Sequence, residues 1–295
     1  MVRSQTIGLF SILITALLWS FLGLLSKVCL SHGLDPFVIA TCRAIFGCIG
    51  FLGHCIVTKT VRIPVQDALV LMLYGVFGIG VYYACIQYTT LTAGASMDVV
   101  LEYTAPFWVA LCSCLLFHER IRPGEIVILL VATAGTVCVC LSGGSLPDKA
   151  PVLGIVTGLI AGICYASHFP FTRIWQKKYH SGTIFCYMLL GGSVALLVLN
   201  GIRGQGLPSD LPVAVWLCAL CMGLVCTYVA YVFFGFSLQK ISLLQAVITS
   251  ELEPVLSIVW VCVFFDERFS PIGWLGSALI LSSVFCYTLL KAKHG

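Results

Sequence analysis

Charged residues are scarce in this chain. They make up 9% of its 295 residues, whereas hydrophobic residues make up 60% and the mean hydropathy is +1.05. The surface of a water-soluble domain is roughly a quarter to a third charged, so this composition excludes a soluble globular protein. The breaks between apolar runs are also too short to hold a soluble domain. We therefore expect the chain to reside in a lipid bilayer.

Motifs of hydrolytic chemistry are missing as well. The sequence contains neither HExxH nor GxSxG, which place a zinc ion or a serine nucleophile in known hydrolases. An intramembrane enzyme is therefore disfavoured, and we expect no cofactor and no metal. A scaffold or receptor that transports nothing is a further alternative, but it would not require the paired intramembrane acids described below.

A cleavable leader is not indicated, because Arg3 precedes a hydrophobic run longer than a signal-peptide core and no small-residue cleavage site follows. We expect this first span to stay attached.

The sixteen cysteines lie almost entirely inside apolar spans, where cysteine acts as a small hydrophobe. We interpret the Cys218-x-x-Cys221 pair as packing rather than as a redox or zinc site.

Ten apolar segments are long enough to cross a membrane, since about 20 residues span a hydrocarbon core of ~30 Å. In the first half they cover residues 7–30, 36–57, 67–88, 94–117 and 123–141. In the second half they cover residues 152–175, 181–200, 213–238, 243–265 and 271–291. We predict an all-α integral membrane protein with ten transmembrane helices.

Lysine and arginine are distributed unevenly between alternate loops. With a cytoplasmic amino terminus, eleven of the sixteen basic residues lie at cytoplasmic ends, four lie at the opposite ends, and Arg43 lies within a span. Basic loops stay in the cytoplasm, so this count predicts that both termini are cytoplasmic. Topology accounts for the net charge of +4, and no nucleic-acid partner is expected.

The sequence repeats itself at an offset of 148 positions. We assign the two copies to residues 1–145 and 146–295. Because each copy has an odd number of spans, the second is predicted to be inverted in the membrane, as in carriers that bind substrate between two repeats. The residues aligned by the offset include Pro106 and Pro254, Tyr83 and Tyr231, Cys138 and Cys286, and the segments 117–120 and 265–268.

Several motifs carry a family resemblance: Trp19-Ser20, Arg43, Phe117-His118-Glu119-Arg120, Glu253-Pro254 and Phe265-Asp266-Glu267-Arg268. This pattern resembles the EamA-type branch of the drug/metabolite transporter superfamily. The resemblance implies two inverted five-helix repeats around a central cavity. It also implies transport, often efflux, of amino acids or other small metabolites across a bacterial cytoplasmic membrane.

Two departures from the family pattern are visible in the sequence. The glycine of the Gly-Glu-Arg signature is replaced by His118 in the first copy and by Asp266 in the second. The first copy also lacks a Glu-Pro pair, because Ala105 precedes Pro106. We therefore do not assign a symmetric role to Glu-Pro motifs.

Pro106 and Pro254 predict irregular backbone in the fourth and ninth spans. Each proline frees a backbone carbonyl, which a membrane tolerates only where protein or a water-filled cavity satisfies it. Their equivalent positions favour two bent helices beside a shared cavity. The alternative is that both prolines only shape packing.

Carboxylates flank both prolines, although each costs about 2.5–3.5 kcal/mol in the membrane on insertion scales. At about 100° per residue, Asp98 and Glu102 share a stripe of the fourth helix. By the offset, Ser250 and Glu253 share the corresponding stripe of the ninth. We predict that Glu102 and Glu253 face each other and either take up protons or bind a substrate amino group. A structural, hydrogen-bonded role is the alternative.

Three more charged residues need individual interpretation. Glu251 lies about 160° around the helix from Glu253, so we expect it to have a structural partner on another helix. Asp98 lies nearer the membrane edge, and a solvated interfacial position stays open for it. Arg43 pairs either with an internal carboxylate, which is slightly favoured, or with a substrate carboxylate.

Aromatic side chains are expected to line the cavity. Trp19, Tyr83, Tyr165 and Tyr231 lie deeper than interfacial anchors usually do, and each needs a polar partner. Tyr82, Tyr103 and Tyr228 are further candidates. His168 is either a cavity residue or a packed histidine beside Pro170.

Two features at the helix surfaces are read as packing or hinge elements. Gly154, Gly158 and Gly162 allow close helix approach, within the chain or in a homodimer. The Glu119-Arg120 and Glu267-Arg268 pairs lie where their helices leave the membrane. They are predicted to stabilise the hinge before the next helix.

The sequence thus predicts an alternating-access carrier in the lipid bilayer, coupled in one alternative to protons. The family resemblance, supported by aromatic walls and both signs of charge, favours a small zwitterionic or aromatic metabolite, such as an amino acid. An antiporter of a larger nucleotide-like or adenosyl metabolite is the alternative, for which we would expect more basic cavity residues than Arg43.

Overall fold

The computed structural model describes residues 2–142, 151–206, 211–265 and 270–294. Within these ranges it contains ten helical segments long and apolar enough to span a membrane, so the all-α, ten-helix prediction is confirmed. The fourth and ninth segments are each divided into two helices, labelled a and b. The elements are α1 (Val2–Ser31), α2 (Pro36–Val57), α3 (Val65–Ala93), α4a (Ala95–Glu102), α4b (Ala105–Phe117), α5 (Pro123–Ser142), α6 (Val152–Trp175), α7 (Ser181–Ile202), α8 (Val213–Leu238), α9a (Leu243–Ser250), α9b (Leu252–Phe265) and α10 (Pro271–His294).

Local sequence explains where the helices begin. The Asp35 carboxylate accepts the Phe37 backbone N–H at 2.9 Å and thereby caps α2. Gly94, at φ +87°, lets α3 turn into α4a through a single residue. At the equivalent place in the second copy, Ser242 caps α9a by accepting the Gln245 N–H at 3.2 Å. The two site-bearing helices therefore start from tightly defined turns.

Two pairs of helices at equivalent sequence positions, α2 with α7 and α5 with α10, pack side by side and antiparallel. Near the end of α7, the Asn200 amide donates to the Thr41 hydroxyl near the start of α2 at 2.7 Å. Near the end of α10, the Lys291 ammonium pairs with the Glu125 carboxylate in the first turn of α5 at 2.8 Å. Antiparallel pairing of equivalent helices is the arrangement that inverted copies require.

The central helices carry matching irregularities. α3 contains a π-helical segment over Val76–Val81, and α8 contains one over Leu224–Val229, at the offset of 148 positions. α4 is interrupted at residues 103–104 and α9 at Glu251, again at the same offset. Single π turns in helices are rare and often mark functional sites. Both copies thus depart from regular helix in corresponding places.

The prolines follow these interruptions instead of bending continuous helices. Pro106 is the second residue of α4b, and Pro254 is the third residue of α9b. Proline fits the first helical turn because the N–H groups there have no partner within the helix. The predicted bends are therefore complete breaks, and each proline helps to restart its helix.

The Gly154, Gly158 and Gly162 stripe packs within the chain. A Cβ atom at Gly162 would lie 2.7 Å from the Leu101 carbonyl oxygen, and one at Gly158 would meet the Leu101 side chain at 2.5 Å. At Gly154 a Cβ would meet Thr92 of α3 at 2.8 Å. The stripe therefore brings α6 against the break in α4. Residues of α3 and α4 in the same chain cover it.

The connection that follows α4b, residues 118–122, is called the first signature loop because it contains Glu119-Arg120. It is only partly as predicted. His118 ends α4b in the left-handed region at φ +53°, a conformation that favours glycine, which explains the family glycine at this position. Glu119 contacts Arg173 of α6 at 3.8 Å, so its ionic partner is not the adjacent Arg120. The Glu267-Arg268 pair and Asp266 lie outside the described residues.

Replacing Gly162 with alanine is expected to lower the melting temperature of the purified protein. The new methyl group would force α6 away from the Leu101 carbonyl, and overpacking of this kind costs about 1–3 kcal/mol. Gly53→Ala is the matched control, because a Cβ there meets nothing within 4 Å. An unchanged melting temperature for Gly162→Ala would contradict the close approach.

Candidate functional site

Six helices meet at the centre of the bundle: α1, α3, α4, α6, α8 and α9. They include both interrupted helices and both helices with π-helical segments. The α2–α7 and α5–α10 pairs flank them. The centre therefore combines the four irregular helices with the continuous helices α1 and α6.

Trp19 of α1 lies in a cage of aromatic rings. Its ring centroid is 5.9 Å from that of Tyr165, 5.8 Å from that of Tyr231 and 5.6 Å from that of Phe234. Tyr82 stacks on Tyr165 at 6.0 Å with an interplanar angle of 13°. The structure thus brings together predicted aromatic residues from α1, α3, α6 and α8. All five rings are buried.

Glu102 and Glu253 approach each other at the two helix breaks. Glu102 is the last residue of α4a, and the Tyr82 hydroxyl donates a hydrogen bond to its Oε1 atom. Glu253 is the second residue of α9b and interacts with the Tyr103 hydroxyl. The two carboxyl groups also interact electrostatically with one another. Both acids therefore face the interior of the bundle.

Arg43 supplies the positive charge of the site. Its Nε atom donates to the Thr227 hydroxyl at 3.0 Å, and its guanidinium lies 4.4 Å from the centroid of the Tyr83 ring. It interacts with both Glu102 and Glu253 at longer range. Among the described residues no carboxylate lies within 4.0 Å of it, so the favoured direct ion pair is not formed. A hydroxyl and a π face hold the charge instead.

The three charged residues retain surface that a water-sized probe can reach. Arg43, Glu102 and Glu253 are half-buried, whereas the neighbouring Trp19 and Tyr231 rings are only 4% and 2% exposed. Charged groups at membrane depth are tolerated beside water or partner groups, not beside lipid. The three charged residues are therefore less enclosed than the aromatic side chains beside them.

Ser250 and His168 support the aromatic walls. The Ser250 hydroxyl is 3.1 Å from the Tyr165 hydroxyl, and the two form a buried hydrogen bond. His168 is fully buried, with its ring centroid 5.6 Å from that of Tyr82. Its Nε2 atom lies 2.6 Å from the carbonyl oxygen of Gly78 in the α3 π segment. The histidine is therefore a packed wall residue that fixes the irregular part of α3.

Two buried ring nitrogens have no hydrogen-bond partner within the described part of the chain. They are the Nε1 atom of Trp19 and the Nδ1 atom of His168. Buried polar groups are normally satisfied, and exceptions often mark functional sites. Both atoms belong to the aromatic cage, so the cage retains unused hydrogen-bonding capacity.

Other predicted residues lie apart from the cage or differ from expectation. Asp98 is 5% exposed and accepts the Thr90 hydroxyl at 2.9 Å, so the solvated interfacial position is wrong: α3 covers it. Tyr228 pairs with His54, with 3.2 Å between its hydroxyl and Nδ1, on the side of α8 that faces α2. It does not join the cage.

Glu251 points away from Glu253, as its angular position predicts. It is fully buried and faces α5, where the Thr136 hydroxyl is its polar neighbour. Neither of its carboxyl oxygens makes a hydrogen bond among the described residues. A well-bonded structural partner on another helix is therefore not present there.

Sequence reasoning missed Thr227, which lies in the π-helical segment of α8 and is fully buried. The repeat offered no signal for it, because the equivalent residue of the first copy is the apolar Ile79. The equivalent of Arg43 is likewise Gly191, so the arginine contact belongs to one copy only. The site is thus asymmetric although its scaffold repeats.

Comparison with known proteins identifies the family. The EamA-like transporter family model matches residues 6–141 and 152–289, one segment in each predicted copy. The chain belongs to the EamA-like transporter family. This membership places it among multi-pass membrane transporters rather than enzymes.

Individual relatives agree with the assignment. The chain is 28% identical over 282 residues to an uncharacterized transporter of Archaeoglobus fulgidus, covering 96% of each protein. It is 23% identical to a protein of Streptantibioticus cattleyicolor named as a probable terminal-alkyne amino-acid exporter, covering 74% of this chain and 72% of that protein. A solved crystal structure superimposes with a TM-score of 0.82 at 20% identity, covering both chains fully, which supports the fold.

Replacing Thr227 with valine is expected to lower the melting temperature by several degrees. The change preserves side-chain shape but removes the acceptor of the Arg43 Nε–H group, and a hydrogen bond to a charged group contributes about 1.5–3 kcal/mol. Thr172→Val is the control, because the Thr172 hydroxyl is equally buried and has no partner in the described structure. Equal effects of the two substitutions would contradict the assigned role of Thr227.

Proposed function

We propose that this protein is a secondary carrier that exports or exchanges a small zwitterionic metabolite, such as an amino acid. The observation that carries the proposal is the half-buried set of one guanidinium and two carboxyl groups beside an aromatic cage. A zwitterion offers a carboxylate to Arg43 and an ammonium group to Glu102 or Glu253. When the site is empty, the Arg43 charge interacts favourably with both acids.

The chemistry of the site favours a small ligand over a nucleotide-like one. A phosphate chain recruits several cations, preferably arginines that bind in bidentate fashion. Arg43 is the single cation assigned to the centre within the described ranges. The amino-acid exporter name of the Streptantibioticus cattleyicolor relative supports the same substrate class.

Proton coupling is a second part of the proposal. Intramembrane carboxyl groups that are partly accessible and lie beside one another serve readily as proton carriers. We assign this role first to Glu253, which lies at a helix break beside Glu102 and Tyr103. Proton uptake at this position would change the charge presented to the substrate.

Alternating access follows from the proposed inverted arrangement in the membrane. At the predicted cytoplasmic end, Arg173 of α6 donates to the Leu238 carbonyl at 2.9 Å and to the Ile241 carbonyl at 2.5 Å, while it contacts Glu119. These contacts tie α6 to the α8–α9 connection and to the first signature loop. We assign them to closure of the cytoplasmic side and expect them to part in the inward-open state. We also propose that both termini lie in the cytoplasm, as the distribution of basic residues predicts.

A thermal-shift screen tests the substrate class. The purified protein is incubated with the proteinogenic amino acids, their decarboxylated amines, and a set of nucleotides and adenosyl compounds. A true ligand at about 100 times its dissociation constant adds about 2.7 kcal/mol of stability. We expect stabilisation by one or more amino acids but not by the matching amine, which lacks the carboxylate that Arg43 binds. Stabilisation by nucleotides alone would overturn the zwitterion assignment.

Glu253→Gln in proteoliposomes tests the coupling role. Counterflow exchanges labelled for unlabelled amino acid without net proton movement, whereas accumulation driven by a pH gradient requires it. If Glu253 carries the proton, the variant keeps counterflow and loses gradient-driven accumulation; if it binds the ammonium group, both are lost. Asp67→Asn is the control, since Asp67 pairs with Lys178 outside the cage. Wild-type rates and wild-type pH dependence in Glu253→Gln would refute both roles.

A further inference from the structure

A separate polar cavity of about 350 Å³ opens at the helix ends that the basic residues assign to the cytoplasm. Both copies contribute to it, through the start of α1, the α4–α5 connection, the α8–α9 connection and the end of α10. The central site uses none of its charged residues. These are Arg120, Arg122, Glu125, Lys240 and Lys291.

The single acid of this cavity is already saturated. The Oε1 atom of Glu125 accepts from the Lys291 ammonium at 2.8 Å and from the Tyr287 hydroxyl at 3.1 Å. Its Oε2 atom accepts from the Arg122 backbone N–H at 2.9 Å. Lys291 and Glu125 thus neutralise each other, and the charge of the remaining cations dominates the cavity.

Three cations of this cavity have no anionic partner among the described residues. Arg120, Arg122 and Lys240 are exposed, and in the described part of the chain no carboxylate lies within 4.0 Å of their charged groups. The nearby acid Glu119 already contacts Arg173. Three convergent cations with unused donors match the several acceptor oxygens of a phosphate group.

The surroundings of the cavity favour a phospholipid over a soluble phosphate. Exposed apolar side chains lie within one helical turn of its lining on three helices: Ile7 of α1, Ile126 of α5 and Leu289 of α10 are 45%, 47% and 51% exposed. Apolar surface of this kind faces acyl chains, while basic pockets between transmembrane helices bind anionic headgroups. The cavity therefore combines a site for phosphate with adjoining surface for lipid tails.

We propose that this cavity binds the phosphate of an anionic phospholipid, with the acyl chains along the exposed faces of α1, α5 and α10. The headgroup contacts Arg120 and Arg122 of the first copy and Lys240 of the second. It thereby bridges the first signature loop and the connection that leads into α9a. The inference does not depend on which metabolite the central site carries.

Lipid titration of the full chain in an uncharged detergent tests the proposal. Phosphatidylglycerol, phosphatidylcholine and soluble glycerol phosphate are added separately, and an apparent Kd is taken from the rise in melting temperature. We expect phosphatidylglycerol to stabilise more than the other two. In Arg122→Gln/Lys240→Gln the Kd for phosphatidylglycerol should rise roughly 30-fold, which is about 2 kcal/mol for two cations near an anionic surface.

Arg62→Gln/Lys177→Gln is the matched control, because it removes one exposed arginine and one exposed lysine from the same predicted face but outside the cavity. This control should keep the wild-type Kd. Equal losses in the two double variants, an unchanged Kd in Arg122→Gln/Lys240→Gln, or equal stabilisation by both lipids would overturn the site. An equal response to glycerol phosphate would overturn the lipid assignment in favour of a soluble phosphate. If the double variant unfolds early, Lys240→Gln alone should raise the Kd roughly fivefold.

Discussion

Charge inside the membrane is the constraint on which the rest of this structure depends. Arg43 cannot lose its proton, and lipid offers it no compensation, so protein groups must hold it in every state of the carrier. The structure meets this demand with the Thr227 hydroxyl and the Tyr83 ring, while Glu102 and Glu253 act from a greater distance. The proposed zwitterion site depends on this arginine being stabilised without a direct ion pair.

The irregular backbone is the structural counterpart of this arrangement. The π segment of α8 places Thr227 beside Arg43, and the π segment of α3 offers the Gly78 carbonyl to His168. The breaks in α4 and α9 set Glu102 at the end of one short helix and Glu253 at the start of another. Backbone of this kind is tolerated at membrane depth because it is enclosed by protein. The regular α2–α7 and α5–α10 pairs supply that enclosure.

Polar residues are thus concentrated in two regions with different chemistry. The centre carries both signs of charge within aromatic walls, which suits a zwitterion. The helix ends carry an excess of cations beside exposed apolar faces, which suits an anionic headgroup. The α9a helix connects them, because Gln245 near its start lines the basic cavity and Ser250 at its end contacts Tyr165. A displacement of this short helix would therefore alter both regions.

Composition and hydrophobic run length were sufficient for the ten-helix fold, and the sequence motifs indicated the family. Run length and motifs are properties of the chain itself, which the sequence displays directly. The contacts of Arg43, the full helix breaks before Pro106 and Pro254, the burial of Asp98 and the role of Thr227 depended on tertiary structure. The physical reason is that each results from packing between helices. The Arg43–Thr227 contact joins residues 184 positions apart, and the repeat equivalents Gly191 and Ile79 cannot form it.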